Sequence, residues 1–280
     1  MALFNLIEMP PPIEQIDETQ EKVLDFFKEG NTQKYIAQYA FEGIEPKFSR
    51  AAAWNHLYAF IQDHLDELKV AKPDSDLYSR ACAELAAYLA AFGMYRYSTK
   101  LMMTNKVIFA PVLHSLIQTA SQQKITAYQD RFYQDQIKAL IDTTRSALKQ
   151  VSEYVPIAVT DTLTSKILHG TFGCIPAFDQ FFILGIRAAN DLLRSHFFNA
   201  EIVVSKNNDF LFPVKIDQNF EFLLKWAFDS EINQELRNLA KPFPLLSGSN
   251  KAGEGNTHLY PTLRIVDQLF WTLGRHIDKS

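Results

Sequence analysis

Three side chains that could move protons or attack an electrophile fall within one short stretch, residues 164–182. They are His169, Cys174 and Asp179. The stretch reads as an amphipathic helix, a turn holding Gly170 and Gly173, and a second apolar helix opened by Pro176. Glycines at a turn admit left-handed backbone angles and close approach. Backbone amides aimed at the start of the second helix could hold an anion. Asp179 would then sit in that helix's first turn, where the macrodipole favours a carboxylate. Asp179 and His169 are the candidate catalytic pair, with Gly170 and Gly173 as ligand contacts. In the plainer alternative Asp179 caps its helix and His169 bonds a carbonyl at the end of the preceding one. Cys174 as a nucleophile would need a lowered pKa and a base partner, for which His169 is the nearest candidate.

A second group closes an apolar helix: Met94, Tyr95, Arg96, Tyr97, Ser98, Thr99 and Lys100. Two cations between phenols and hydroxyls suit a phosphate or a stacked base. Arg96, Tyr97 and Lys100 are therefore candidate ligand-binding residues. The same cations equally suit a helix C-terminus paired with a carboxylate such as Asp179 or Asp267. A third group, Arg50 to His56, is similar to the spaced Arg…His element of HEPN-type ribonucleases. In that likeness His56 would be the acid or base and Arg50 would hold phosphate. A fourth, Arg264 and Asp267, is an ion pair at helical spacing. No carboxylate pair stands at ligand spacing near His56 or His64, so no metal site is expected. No cofactor is expected either.

The composition narrows the class of protein. Hydrophobic residues make up 47% and aromatics 13%, enough for a true core and far from a disordered chain. With 10 glycines and 12 prolines, helices fit better than a many-turned β-fold. A net charge of −4 argues against binding polyanions by bulk charge, though a local basic patch would escape that argument. Cys82 and Cys174 stand outside any CxxC motif and read as buried thiols in a reducing compartment. The N-terminus has no basic signal-peptide start. The apolar run Leu85–Tyr95 is shorter than the about 20 residues a bilayer span needs. The expected setting is the cytoplasm, without membrane partners.

The elements that must position these groups are mostly helical. Apolar spacing predicts helices over Ile13–Lys28, Thr32–Phe41, Arg50–Val70, Leu77–Tyr95, Val107–Ala120 and Thr126–Tyr154. Asp161 or Thr162 is expected to cap the helix of the 164–182 stretch, and a further helix should run from Pro176 to about His196. Glu201–Ser205 and Phe210–Ile216 read as a β-hairpin, with Lys206–Asp209 as its turn. Two short helices should follow, over Asn219–Phe228 and Glu231–Leu239. Lys241–His258 has loop composition, and Pro261 opens a last helix ending at Gly274. The fold class expected is all-α: one helical domain over 1–280 of roughly ten helices with one small β-hairpin. Any halves would be 13–154 and 158–280.

Three stretches together resemble an uncharacterised bacterial protein family: Tyr88–Arg96, Lys166–Asp179 and Tyr260–Gly274. The likeness implies a bacterial protein and brings no activity with it. The 164–182 corner alone is similar to the end of the helix-hairpin-helix core of DNA glycosylases. There the catalytic aspartate would correspond to Asp179, but no lysine here matches that family's catalytic one. The resulting expectation is a bacterial binding or interaction protein, with stress or phage defence as its setting. Its pocket would take an anion, a nucleic acid or another phosphate-bearing ligand. A protein partner or a second copy of the chain is a further expectation. The alternative is a nucleic-acid-acting enzyme, glycosylase-like through Asp179 or HEPN-like through Arg50 and His56.

Overall fold

The computed structural model describes residues 17–28, 30–41, 50–95, 100–199, 211–240 and 260–279. Twelve α-helices and no strand occur among them. Contacts divide the chain into two compact units. The first comprises Met1–Gly43, Phe178–Pro242 and Ile265–Ser280, and the second Ile44–Ala177 and Phe243–Arg264. Of the four passages between units, those at Ala177–Phe178 and Arg264–Ile265 fall among the described residues. No helix among the described residues is long and apolar enough to cross a membrane.

The second unit is built on six helices: α3 (Arg50–Asp63), α4 (Leu65–Val70), α5 (Asp76–Ala91), α6 (Ala110–Gln122), α7 (Gln134–Ser152) and α8 (Asp161–Phe172). Helix α8 is its hub, touching α3, α5 and α7. Its residues from Leu163 to Phe172 are all buried, polar ones included. Thr160, not Asp161 or Thr162, caps it by accepting the Leu163 N–H at 3.1 Å. Asp161 in the first turn pairs with Arg145 of α7 at 2.6 Å.

Two expected long helices are shorter than the apolar pattern suggests. The Arg50–Val70 helix breaks at His64. Because α4 restarts at once and buries Leu65 and Leu68, the apolar spacing carries no mark of the break. The Thr126–Tyr154 helix begins only at Gln134. Lys124 and Tyr128 adopt left-handed angles, φ 55° and 57°. Tyr128 is held there by long-range bonds: its N–H donates to Gln62 Oε1 at 2.7 Å and its hydroxyl to Asp63. Tertiary hydrogen bonds thus override local helical preference in this segment.

The first unit carries α1 (Glu18–Phe26), α2 (Asn31–Phe41), α9 (Gln180–Asn199), α10 (Glu221–Ala227) and α11 (Ser230–Ala240). It also holds most of α12 (Thr262–Lys279). Asp17 and Gln20 form a reciprocal capping box at the start of α1, with bonds of 2.8 and 3.1 Å. Helices α9 and α12 cross in direct backbone contact. A Cβ on Gly185 would lie 2.0 Å from the Phe270 carbonyl oxygen, and one on Gly274 would lie 1.9 Å from that of Phe181. Gly274 therefore does not end the last helix, which continues to Lys279. Its small size serves the crossing.

The expected β-hairpin is not seen. Its first strand and turn lie outside the described residues, and the described part of its second, 211–216, is irregular. The reason is chemical. The buried amide of Asn190 on α9 bonds both backbone groups of Phe212: the Phe212 N–H donates to Oδ1 at 2.9 Å and Nδ2 donates to the Phe212 carbonyl at 3.0 Å. A side chain takes the partners a strand would have used. The expected loop Lys241–His258 lies outside the described residues.

Candidate functional site: the buried end of helix α8

The expected two-glycine turn holds only one glycine in a turn. Gly170 is inside α8, and its missing Cβ lets the helix pack closely: a Cβ there would meet Leu57 Cδ2 at 2.6 Å and Tyr88 Cε1 at 2.8 Å. Gly173 ends α8 with φ 60°, a left-handed cap that favours glycine. The Pro261 ring lies against it, 2.8 Å from where its Cβ would be. Pro176 does not open the next helix. Helix α9 starts at Gln180, and Asp179 caps it, accepting the N–H groups of Phe181 and Phe182 at 3.2 Å each.

His169 is 1% exposed and both its ring nitrogens are engaged. Nδ1 lies 2.9 Å from the Ile175 carbonyl, which can only accept, so this nitrogen carries the hydrogen. Nε2 then presents its lone pair to Arg264 Nη1 at 3.3 Å. The geometry describes a neutral imidazole clamped between a carbonyl and a guanidinium. Arg264 is 5% exposed and also stacks on Trp54, its Cζ 5.0 Å from the ring centroid. The Trp54 indole N–H donates to the His169 carbonyl at 3.1 Å.

Trp54 is the centre of an aromatic stack, with Tyr58 at 4.7 Å and Tyr260 at 5.6 Å. The Tyr260 hydroxyl donates to Asn55 at 2.7 Å, and burial raises its pKa. Gln62 donates to the Thr171 carbonyl at 2.7 Å, so the last turn of α8 is tied to α3 at two carbonyls. Asp130 accepts both the N–H and the hydroxyl of Thr262, at 2.6 and 3.0 Å, and thereby fixes the start of α12 beside Arg264.

Lys166, one turn before His169, is 3% exposed. Its Nζ donates to the Phe92 carbonyl at 3.0 Å and sits 5.4 Å from the Phe92 ring centroid. A cation on the last carbonyls of α5 offsets the negative end of that helix. The end of α5 and helix α8 are thus joined, at Phe92 and Tyr88. Of the cationic group beyond, Arg96 and Tyr97 lie outside the described residues. Lys100 is exposed, with φ 58°.

Cys174 cannot serve as a thiolate here. It is fully buried, burial pushes its pKa up to about 12, and its weak contact is the Leu168 carbonyl at 3.9 Å. Cys82 is likewise raised, to about 11, by burial. Arg50 and His56 share α3, but six residues place them about 120° apart around a helix, so one helix cannot aim both at one phosphate. His56 is exposed while Asn55 and Trp54 beside it are buried. His169 belongs to the second unit and Asp179 to the first.

Sequence reasoning passed over Lys166, Trp54, Asn55 and Tyr260. A signal existed for two of them. Lys166 is a lone cation in an otherwise apolar helix, and such a residue must find a partner if the helix is buried all round. Trp54 could be placed in the core by periodicity, but its stacking on Arg264 joins residues too far apart in sequence for any pattern to reveal. Compared with known proteins, the chain matches no family model, no curated protein and no solved structure.

Proposed function

We propose that this chain is a binding protein of the bacterial cytoplasm for a ligand bearing phosphate or a related anion, and that the end of α8 is its scaffold. The observation that carries this reading is the enclosure of His169. A general acid or base must come within hydrogen-bond reach of its substrate. His169 spends both nitrogens on the chain itself and is buried. Cys174 is held as a neutral thiol. Asp179 receives two backbone N–H groups, the work of a helix cap. The residues able to do chemistry are thus consumed in holding the fold, which favours binding over the glycosylase-like alternative.

The test pairs melting with turnover. His169→Gln and Asp179→Asn would be compared with the native chain for thermal stability and for cleavage or base release on labelled single- and double-stranded DNA and RNA. The expected result is a lower Tm for His169→Gln, a nearly native Tm for Asp179→Asn, and no turnover by any of the three. Turnover by the native chain that Asp179→Asn abolishes at unchanged Tm would overturn the reading.

A further inference from the structure

The first unit holds a cavity of about 530 Å³ along one side of α9. Arg187, Asn190, Asp191 and Arg194 line it from the helix, at the three- and four-residue steps that define one helical face. The opposite wall is residues 211–214 and 218–219 together with Glu221 and Phe222 of α10.

The wall is fixed by polar side chains that bond its backbone. Asn190, 3% exposed, clamps Phe212 through both its backbone groups. Gln218 Oε1 accepts the N–H groups of Val214 and Lys215, at 2.5 and 3.0 Å, closing the loop on itself. The Asn219 side-chain Oδ1 accepts the Glu221 N–H at 2.8 Å, at the start of α10. Phe212 is further locked among Phe222, Trp226 and Phe270, with ring centroids 5.0–5.2 Å away.

What these bonds leave over is two arginines and Asp191 on the α9 side, and on the other an apolar surface with the Glu221 carboxylate beside it. Arg194 pairs with Asp191 at 2.9 Å. Arg187 is exposed, lines the cavity and makes no ion pair among the described residues. Leu211, Pro213 and Phe222 offer apolar surface across from it. The volume falls within the roughly 300–1,000 Å³ of small-molecule sites. A guanidinium recognises planar or tetrahedral oxyanions through paired N–H donors.

We infer that this groove is a ligand site for a small molecule with an anionic head and a flat apolar body: the head bonds Arg187 and the body lies against Pro213 and Phe222. The head is a phosphate or a carboxylate. This names a site for the binding reading above and does not use the α8 residues. Failure at Arg187 and failure at His169 are therefore read in separate experiments.

The test is calorimetric titration of the full chain with adenosine monophosphate, adenosine, benzoate and inorganic phosphate. Arg187→Ala is the variant, and Lys215→Ala is the control, removing an exposed cation that does not line the cavity. Saturable binding of adenosine monophosphate, weakened about 10-fold or more both by Arg187→Ala and by loss of the phosphate in adenosine, supports a phosphate head. The same pattern for benzoate, with adenosine monophosphate silent, supports a carboxylate head. Lys215→Ala should bind as the native chain does. The inference is overturned if neither organic anion binds at millimolar concentration, or if Arg187→Ala binds as tightly as the native chain.

Discussion

The end of α8 and the side of α9 use the same kinds of residue to opposite ends. At α8, a lysine, a histidine and an arginine are buried to 5% exposure or less, and each is turned on a carbonyl, a ring or another side chain of its own unit. At α9, one amide is buried to fix a wall while two arginines on the same face stay in solvent. Buried polar groups cost free energy unless satisfied, so a fully satisfied network fixes one arrangement. Exposed cations beside a preformed wall have no such duty. The lesson is that residue type does not mark a site. The chemically capable residues of this chain hold its frame, and ordinary surface arginines face the open space.

The glycines sharpen the contrast and give the largest expected effect. Gly185→Val would push a side chain into a backbone carbonyl 2.0 Å from the new Cβ, and neither helix can yield there without moving apart. Overpacking of yielding cores costs about 1–3 kcal/mol. This contact should exceed that range and unfold the first unit. Gly170→Ala meets only side chains, Leu57 and Tyr88, and alanine recovers about 1 kcal/mol of helix propensity. Its net cost should be about 1–2 kcal/mol. Chemical denaturation of both variants decides. If Gly170→Ala proves the worse of the two, the distinction between backbone and side-chain neighbours fails.

Breaking the α8 network comes next. His169→Leu removes the donor to the Ile175 carbonyl and one acceptor of Arg264, both at buried groups. Each such loss costs about 1–3 kcal/mol. The stability loss should therefore reach about 2–5 kcal/mol by urea denaturation. Leu is near in volume, so a cavity contributes little to this figure. A change within 0.5 kcal/mol or so would mean the network is not a stabilising feature.

Most of the fold was legible because apolar periodicity and cap chemistry are local. The helices α2, α5 and α6, the turn at Gly30 and the opening of α12 after Pro261 all follow from residues within a few positions. What escaped was decided at a distance. Tyr128 leaves helical geometry for Gln62 and Asp63, and Phe212 leaves strand geometry for Asn190. In both, a pair of long-range hydrogen bonds outweighs weak local preference. Gly274 looks like a helix stop in sequence because glycine ends many helices. Only the partner glycine at 185 shows that it is a contact. The candidate site was half legible. His169 and Gly173 act in the second unit as clamp and helix cap, and Asp179 acts in the first as an N-cap. The alternative in which Asp179 caps and His169 bonds a carbonyl was already open from the sequence.

Asp179 gives a smaller effect. Asn caps helices about as well as Asp, so Asp179→Asn should change stability by less than about 0.5 kcal/mol, and Asp179→Ala should cost about 1 kcal/mol. Thermal melts of the pair check this. An Asn variant as unstable as the Ala variant would mean that the charge, rather than the two N–H bonds, is what the position needs.

The smallest expected effect concerns His276, on the last turn of α12 in the first unit. Its ring lies 4.2 Å from that of Tyr35 and 6.0 Å from that of Phe26. Burial lowers its pKa below 6.5; Lys22 adds to the shift and Asp25 opposes it. The sign follows from which form the fold prefers. The neutral ring is favoured in the folded chain, so above about pH 6.5 His276 costs nothing. As pH falls below that value, the unfolded chain takes up the proton first, and stability drops until the folded value is passed. Asp25 stays ionised over this range, because its bond to Lys28 holds its pKa below the usual carboxylate value, so only the imidazole's own contribution has to be isolated. The measurement is therefore a difference: Tm at pH 7.5 minus Tm at pH 5, in the native chain and in His276→Gln. The loss should be smaller in the variant. Equal losses would place the acid sensitivity elsewhere and leave the Tyr35–His276 contact as packing alone.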